Sequence, residues 1–459
     1  MNDKAGDRRG PRRAGVLVVL AAISVLVTGC GVVHVSFAAS ATATASATVD
    51  PTSVAADCLT SQPSCYTPQQ LRTAYGIQPL LDSGITGHGQ TIVLLEFPPP
   101  VTAGSPAPAS DGQPPASSDI RQDLSRFDSM FDLPAAQLQV VNSLAHAASP
   151  WQAAPEEVAD TEVVHALAPD AAIREVLIPS SYTVDTATAS AAVVAALQLG
   201  LTQGGVISLS ADAGEQCFSP AEVAQWNQVL QTAQHDQVTV VASMGDSGAA
   251  ASACPPATGA AAVKGVDLPA SDPLTLAVGG TSLQVGTNGA YTGETAWNTS
   301  SAAGGPAAGG GGFSRLFSRP AYQEAIAGIG TARGVPDVAA DADPDTGMAL
   351  AFSDGGRNDL LIAAGGTSVA TPLWAAIIAL ADQDAGRHLG FVNSALYQIG
   401  RSTRYHQAFH DVTTGDNTVE LGAQTIVGYQ AAPGWDPVTG WGSPDAQILV
   451  PLLARYTSP

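Results

Sequence analysis

Charge is scarce in this 459-residue sequence: Asp, Glu, Lys and Arg make up 13% of it, and 18 basic against 40 acidic residues give a net charge of −22. So few cations exclude a general affinity for nucleic acid or anionic lipid, both of which need positive charge. No CxxC pair or His-rich tract offers a zinc site. No internal repeat is visible, which excludes a solenoid. The N-terminal apolar run, Gly15 to Val27, falls short of the roughly 20 residues of a transmembrane helix. What is abundant is apolar residues (45%) and glycine (47), the composition of a folded α/β protein with a sizeable core.

Arg8, Arg9, Arg12 and Arg13 precede that apolar run, and Val27-Thr28-Gly29-Cys30 follows it. A basic n-region, a short h-region and small residues before a cysteine resemble a bacterial lipoprotein signal spanning 1–30. The expectation is export, cleavage before Cys30, and anchoring at the outer face of the membrane through a lipid on Cys30. Ala, Thr and Ser dominate residues 36–56, so 31–57 reads as a tether and 58–459 as the folded part. With Cys30 lipidated, Cys58, Cys65, Cys217 and Cys254 allow three pairings in an oxidising compartment. Cys217 and Cys254 each follow an apolar strand, and adjacent parallel strands would bring those ends together. Cys217–Cys254 with Cys58–Cys65 is therefore preferred.

Apolar stretches predict strands at Thr91–Phe97, Ala172–Pro179, Val206–Ser210, Val238–Ser243 and Leu274–Val278. Helices are expected at Pro68–Ala74, Ala187–Leu199, Pro220–Gln234 and Thr371–Asp382. The alternation implies βαβ units and a doubly wound, mostly parallel sheet flanked by helices, an α/β fold. Residues 97–118 read as a Pro/Ser/Ala-rich loop.

Three short segments carry candidate chemistry. Gly365-Gly366-Thr367-Ser368 leads into an apolar helix through Thr371-Pro372, with Pro372 in its first turn. A serine there meets the positive end of a helix dipole, though a Gly-rich turn with an N-cap serine would look the same. Glu156 and Asp160 lie four apart on a helix opened by Pro155, so both project from one face; buried together they would share a proton. An exposed pair would be only a solvated face. Asp246, in Gly245-Asp246-Ser247-Gly248, follows a buried strand, and ligands of open α/β sheets bind at the carboxyl ends of strands. No histidine suits a serine base, because His88 precedes a strand instead of opening a helix.

Taken in order, these segments resemble the sedolisin family of serine-carboxyl peptidases, a branch of the subtilisin-like fold. The resemblance covers about residues 65–451. It includes Tyr66–Arg72, Glu156-x-x-x-Asp160 running into Ala166-Leu167-Ala168-Pro169, Gly245–Gly248, Pro269–Pro273, Val278–Ser282, Gly334–Val338, Asp341–Pro344 and the Gly-Gly-Thr-Ser string. It implies Ser368 as nucleophile, Glu156 as general base and then acid, Asp160 as its orienting partner and Asp246 in the oxyanion hole. Because Asp246 can donate a hydrogen bond only while protonated, cleavage is expected near pH 4 and faint at neutrality.

The resemblance also implies one structural Ca²⁺, held by the carboxylates of Asp411 and Asp436 and the carbonyls of Val412, Ala432 and Gly434. Ala432 stands where the family has glycine. Relatives carry a long propeptide, whereas only the signal, tether and a short Cys58–Cys65 segment precede Tyr66. Protein or peptide substrates and a monomeric state are expected. The alternative to a peptidase is a catalytically silent surface lipoprotein that uses the fold as a binding module.

Overall fold

The computed structural model describes residues 18–20, 65–97, 120–142, 155–178, 186–252, 254, 262–299, 307–353 and 359–456, with the backbone alone for 18–20, 142, 353 and 359–362. Cys30, Cys58, the tether and the 98–118 loop lie outside these residues. Within the expected signal segment, Val18–Leu20 pairs in parallel with Leu361–Ala363. No helix among the described residues is long and apolar enough to cross a membrane.

The elements that position the site are α1 (Pro68–Ala74), β1 (Thr91–Glu96), α2 (Ile120–Phe131), β2 (Gln137–Asn142), α3 (Pro155–Leu167), β3 (Ala172–Leu177), α4 (Thr186–Leu201) and β4 (Val206–Leu209). They continue with α5 (Pro220–His235), β5 (Thr239–Ser243), β6 (Leu276–Val285), β7 (Tyr291–Ala296), β8 (Val338–Asp341), α6 (Thr367–Ala385) and α7 (Ala446–Ala454). Capping boxes open two of the helices: Thr67 with Gln70 on α1, and Ser219 with Glu222 on α5, each followed by proline.

An eight-stranded sheet runs β7-β6-β5-β4-β1-β3-β2, with β8 also paired to β6. Every pairing is parallel except β6 with β7. This is the mostly parallel, helix-flanked sheet of a subtilisin-like α/β fold. Parallel strands of this kind are buried on both faces, and β1 shows why its run is continuously apolar. Ile92 and Leu94 join a core with Val158, Val164 and Ile377, while Val93 and Leu95 join another with Val193, Leu197, Trp226 and Val229. Helices α3 and α6 thus cover one face, and α4 and α5 the other.

The chain leaves β1 toward β2 on one side, returns through β3, and crosses to β4 on the other side of β1. The carboxyl ends of β1, β4 and β5 flank that reversal, where open α/β sheets bind ligands. Two connections brace it. The Cys217–Cys254 disulfide, with Cα atoms 5.1 Å apart, joins the segments that follow the paired strands β4 and β5, as their parallel neighbourhood predicts. Cys65 is also disulfide-bonded. Behind the site, Arg333 grips Asp337 through two bonds of 2.7 and 2.6 Å, both side chains fully buried, and Asp337 accepts the Ala277 N–H at 2.9 Å.

Two sequence expectations need correction. Helix α6 begins at Thr367, four residues before Thr371, because Gly366 at φ +109° turns the chain directly into it. Pro372 therefore sits in the second turn, where it removes a helical hydrogen bond. Strand β6 extends to Val285, seven residues past the expected end, changing partner from β5 to β8 to β7 along its length.

Candidate active site

Ser368 is the second residue of α6 and Glu156 the second residue of α3. These two helices pack together on one face of the sheet, so both first turns open toward the carboxyl ends of the strands. The Ser368 hydroxyl lies beside the Glu156 carboxylate and lowers its proton affinity. Asp160, one turn further along α3, is 1% exposed and receives the Ser210 hydroxyl on Oδ2 at 3.2 Å. Burial raises the pKa of Glu156 and of Asp160, and their mutual repulsion raises Asp160 further. The pair binds a proton more tightly than free carboxyls and titrates as a unit.

Asp246 follows β5 and is 6% exposed. Its Oδ1 accepts the Thr367 N–H at 2.8 Å and the Thr367 hydroxyl at 2.9 Å. A Cβ on Gly366 would stand 3.0 Å from both Asp246 Oδ2 and Ser368 Oγ, so these two oxygens face one small space that only glycine leaves free. Burial pushes the Asp246 pKa up to about 6 against the pull of the two Thr367 donors. In acid, Oδ2 is therefore protonated beside the serine. Gly245, at φ +79°, is required on the same loop, because a side chain there would overlap the Asp212 carboxylate.

Ser368, Glu156, Asp160 and Asp246 are thus brought together from three segments. His88 is not. The turn that carries it is held by Gln383, whose Oε1 accepts the N–H groups of Thr86, Gly87 and His88 at 2.8, 2.6 and 3.1 Å. Gln383 lies fifteen residues along α6 from Ser368, about 22 Å at 1.5 Å per residue. His165 is buried against Pro134 O and Asp128 instead.

Sequence reasoning passed over several polar groups here. Glu96 ends β1 and is 1% exposed, and burial raises its pKa, with Asp160, Glu157, Glu175 and Glu156 raising it further. Glu175, pushed to about 8 by burial, accepts the Thr161 hydroxyl. Asp212 and Asp267 share the Ser252 hydroxyl behind Gly245. A carboxylate inside an apolar strand was the available signal for Glu96 and Glu175; Ser210 and Asp212, in a polar loop, had none.

Farther along the chain, one loop ties the two expected calcium carboxylates together. The Gly434 N–H donates to Asp411 Oδ1 and Oδ2 at 3.1 and 3.2 Å, and the Ala432 N–H to Asp436 Oδ2 at 3.0 Å. No group of three or more His, Cys, Asp or Glu side chains among the described residues could hold a metal, so any ion here relies on main-chain carbonyls as well. The donor set is all oxygen, which suits Ca²⁺. Ala432 does not have positive φ, so alanine stands there without strain. The residues present fit the ion.

No family model matches the chain. It is 33% identical over 410 residues to kumamolisin from Bacillus sp. (strain MN-32), covering 86% of this chain and 65% of that protein. The chain thus spans just under two thirds of that relative's length. Over 185 residues it is 37% identical to sedolisin from Pseudomonas sp. (strain 101), covering 40% of this chain and 30% of that one. Among solved structures, Pseudomonas sedolisin, a serine-carboxyl proteinase complexed with two molecules of pseudo-iodotyrostatin, matches at a TM-score of 0.67 and 25% identity. That match covers 84% of this chain and 96% of the other.

Proposed function

The chain belongs to the sedolisin family of serine-carboxyl peptidases, and from that premise we propose that it hydrolyses peptide bonds in acid through an acyl-enzyme on Ser368. The observation that carries this reading is that the Ser368 hydroxyl lies beside the Glu156 carboxylate and faces Asp246 across the space at Gly366. Ser368 Oγ attacks the scissile carbonyl as Glu156 takes its proton, and Asp160 keeps that carboxyl oriented and shares the pair's charge. The developing oxyanion accepts hydrogen bonds from the Asp246 Oδ2–H and from the N–H of Ser368, which lies in the first turn of a helix where N–H groups lack intrahelical acceptors. Glu156 then returns its proton to the leaving amine, and water repeats the sequence in reverse to free the acid. An unfolded protein such as casein is expected to yield peptides at about pH 4. No cleavage at any pH would leave the fold as a binding module.

Asp411 and Asp436, with the carbonyls of Val412, Ala432 and Gly434, are proposed to hold a structural Ca²⁺ that joins two loops and takes no part in the chemistry. An ion that binds the native state preferentially stabilises it: at a hundred times its Kd the gain is about 2.7 kcal/mol. Melting is expected to shift downward with chelator, and an unchanged Tm in metal-free protein would reject the site.

Export and membrane anchoring are proposed through Cys30. Fatty-acid label is expected on the full-length protein expressed in bacteria and not on Cys30→Ala, which should move to the soluble fraction. Label persisting in that variant would count against Cys30 as the anchor.

A further inference from the structure

Pro372 stands four residues beyond Ser368, so the Ser368 carbonyl has no N–H at the position where an α-helix would supply one. The Ser210 hydroxyl fills that place, with Oγ 3.3 Å from the Ser368 carbonyl oxygen. The same Oγ lies 3.2 Å from Asp160 Oδ2. Ser210 is the residue after β4, and its hydroxyl meets the second turn of α3 and the first turn of α6. A hydroxyl has one proton to give and cannot serve both acceptors at once.

We propose that Ser210 is a positioning residue that reads the protonation of Asp160 and passes it to the backbone of the nucleophile. When Asp160 carries a proton, it donates to Ser210 Oγ, and Ser210 donates to the Ser368 carbonyl. The first turn of α6 is then tied down with the serine held against Glu156. When Asp160 is ionised, the Ser210 proton turns to the carboxylate and the Ser368 carbonyl gives up its donor. The charged groups facing this switch are nearly all acids: Glu156 and Glu157 on α3, Glu96 at the end of β1 and Glu175 on β3, with Arg121 beside Glu175. Asp212 and Asp246 act on Glu156 from the far side. Each carboxylate opposes ionisation of the next, so the proton that Ser210 reads is retained in acid and lost only as pH rises.

The catalytic consequence rests on the peptidase reading, whereas the switch can be observed without turnover. Carbon-13 at serine carbonyls with nitrogen-15 in valine selects Ser–Val pairs, which occur at 24–25, 53–54 and 368–369. The Ser368 resonance is the one missing from Ser368→Ala. In the full-length protein its carbonyl shift is expected to move as pH is raised from the acid range, and to stay nearly flat in Ser210→Ala. The same titration in both proteins, or none in the wild type, overturns the proposal. In turnover, Ser210→Ala is expected to lower kcat roughly three- to tenfold with KM unchanged, the range of one hydrogen bond, and Ser210→Thr to restore it. Pro372→Ala returns an N–H to the same carbonyl, so the loss should shrink in the Ser210→Ala, Pro372→Ala double variant. An undiminished loss there overturns the proposal. A wild type that titrates at Ser368 yet cleaves nothing supports the switch and defeats the peptidase reading alone.

Discussion

Ser368→Ala is expected to reduce peptide hydrolysis by roughly ten-thousand- to a million-fold, the scale of losing a serine nucleophile, with the fold unchanged. The substitution removes one oxygen at a half-exposed position in the first helical turn, so no core contact is lost. Its effect falls on Glu156, whose proton affinity the neighbouring Ser368 hydroxyl lowers. Without it Glu156 holds its proton more tightly and has nothing to activate. KM should change little, because the hydroxyl is spent on the transition state and not on holding substrate. Near wild-type turnover by this variant would falsify the nucleophile assignment.

The second large effect belongs to Asp246. Asp246→Ala removes the proposed oxyanion donor, and losing one such donor typically costs a hundred- to a thousandfold in kcat, about 2.7–4 kcal/mol. Asp246→Asn is expected to lose less. Its amide oxygen can keep the two Thr367 bonds now made by Oδ1, which leaves the NH₂ on the side of Gly366 and Ser368. The asparagine does not titrate, so the part of the high-pH fall-off that begins near the Asp246 pKa of about 6 should disappear. Equal, near-complete loss in both variants would mean that Asp246 passes a proton. Full activity in both would reduce the 245–248 segment to a turn.

Much of this was legible because the chemistry sits where sequence patterns are sharpest. Strands β1, β4 and β5 are buried on both faces, so their apolar runs stand out and the segments after β4 and β5 can be placed at the carboxyl edge. The Glu156–Asp160 spacing needs only helical periodicity. Helix α2 was missed although Ile120, Leu124, Phe127 and Phe131, its buried stripe, are spaced four, three and four apart. The start of α6 was misplaced because proline favours a first turn, and here a hydroxyl from another segment stands in for the missing N–H. β6 was cut short because Gly279 and Gly280 break its apolar pattern, while the sheet needs glycine there: a Cβ on Gly280 would press on Ala342 and Trp297. Ser210 could not be read at all. Its role depends on two helices that meet only in the fold.

The pH dependence of kcat/KM for an unstructured peptide tests the carboxylate-base account most directly. Above about pH 6 Asp246 loses the proton it must donate, and each further unit should lower the rate up to tenfold. At low pH the Glu156–Asp160 pair, raised by burial, becomes fully protonated and can no longer accept the serine proton. The account predicts a bell in acid, with activity falling away above the Asp246 pKa of about 6. A maximum above about pH 7 would contradict it, because the protonated fraction of Asp246 that meets the oxyanion has by then fallen to about a tenth or less.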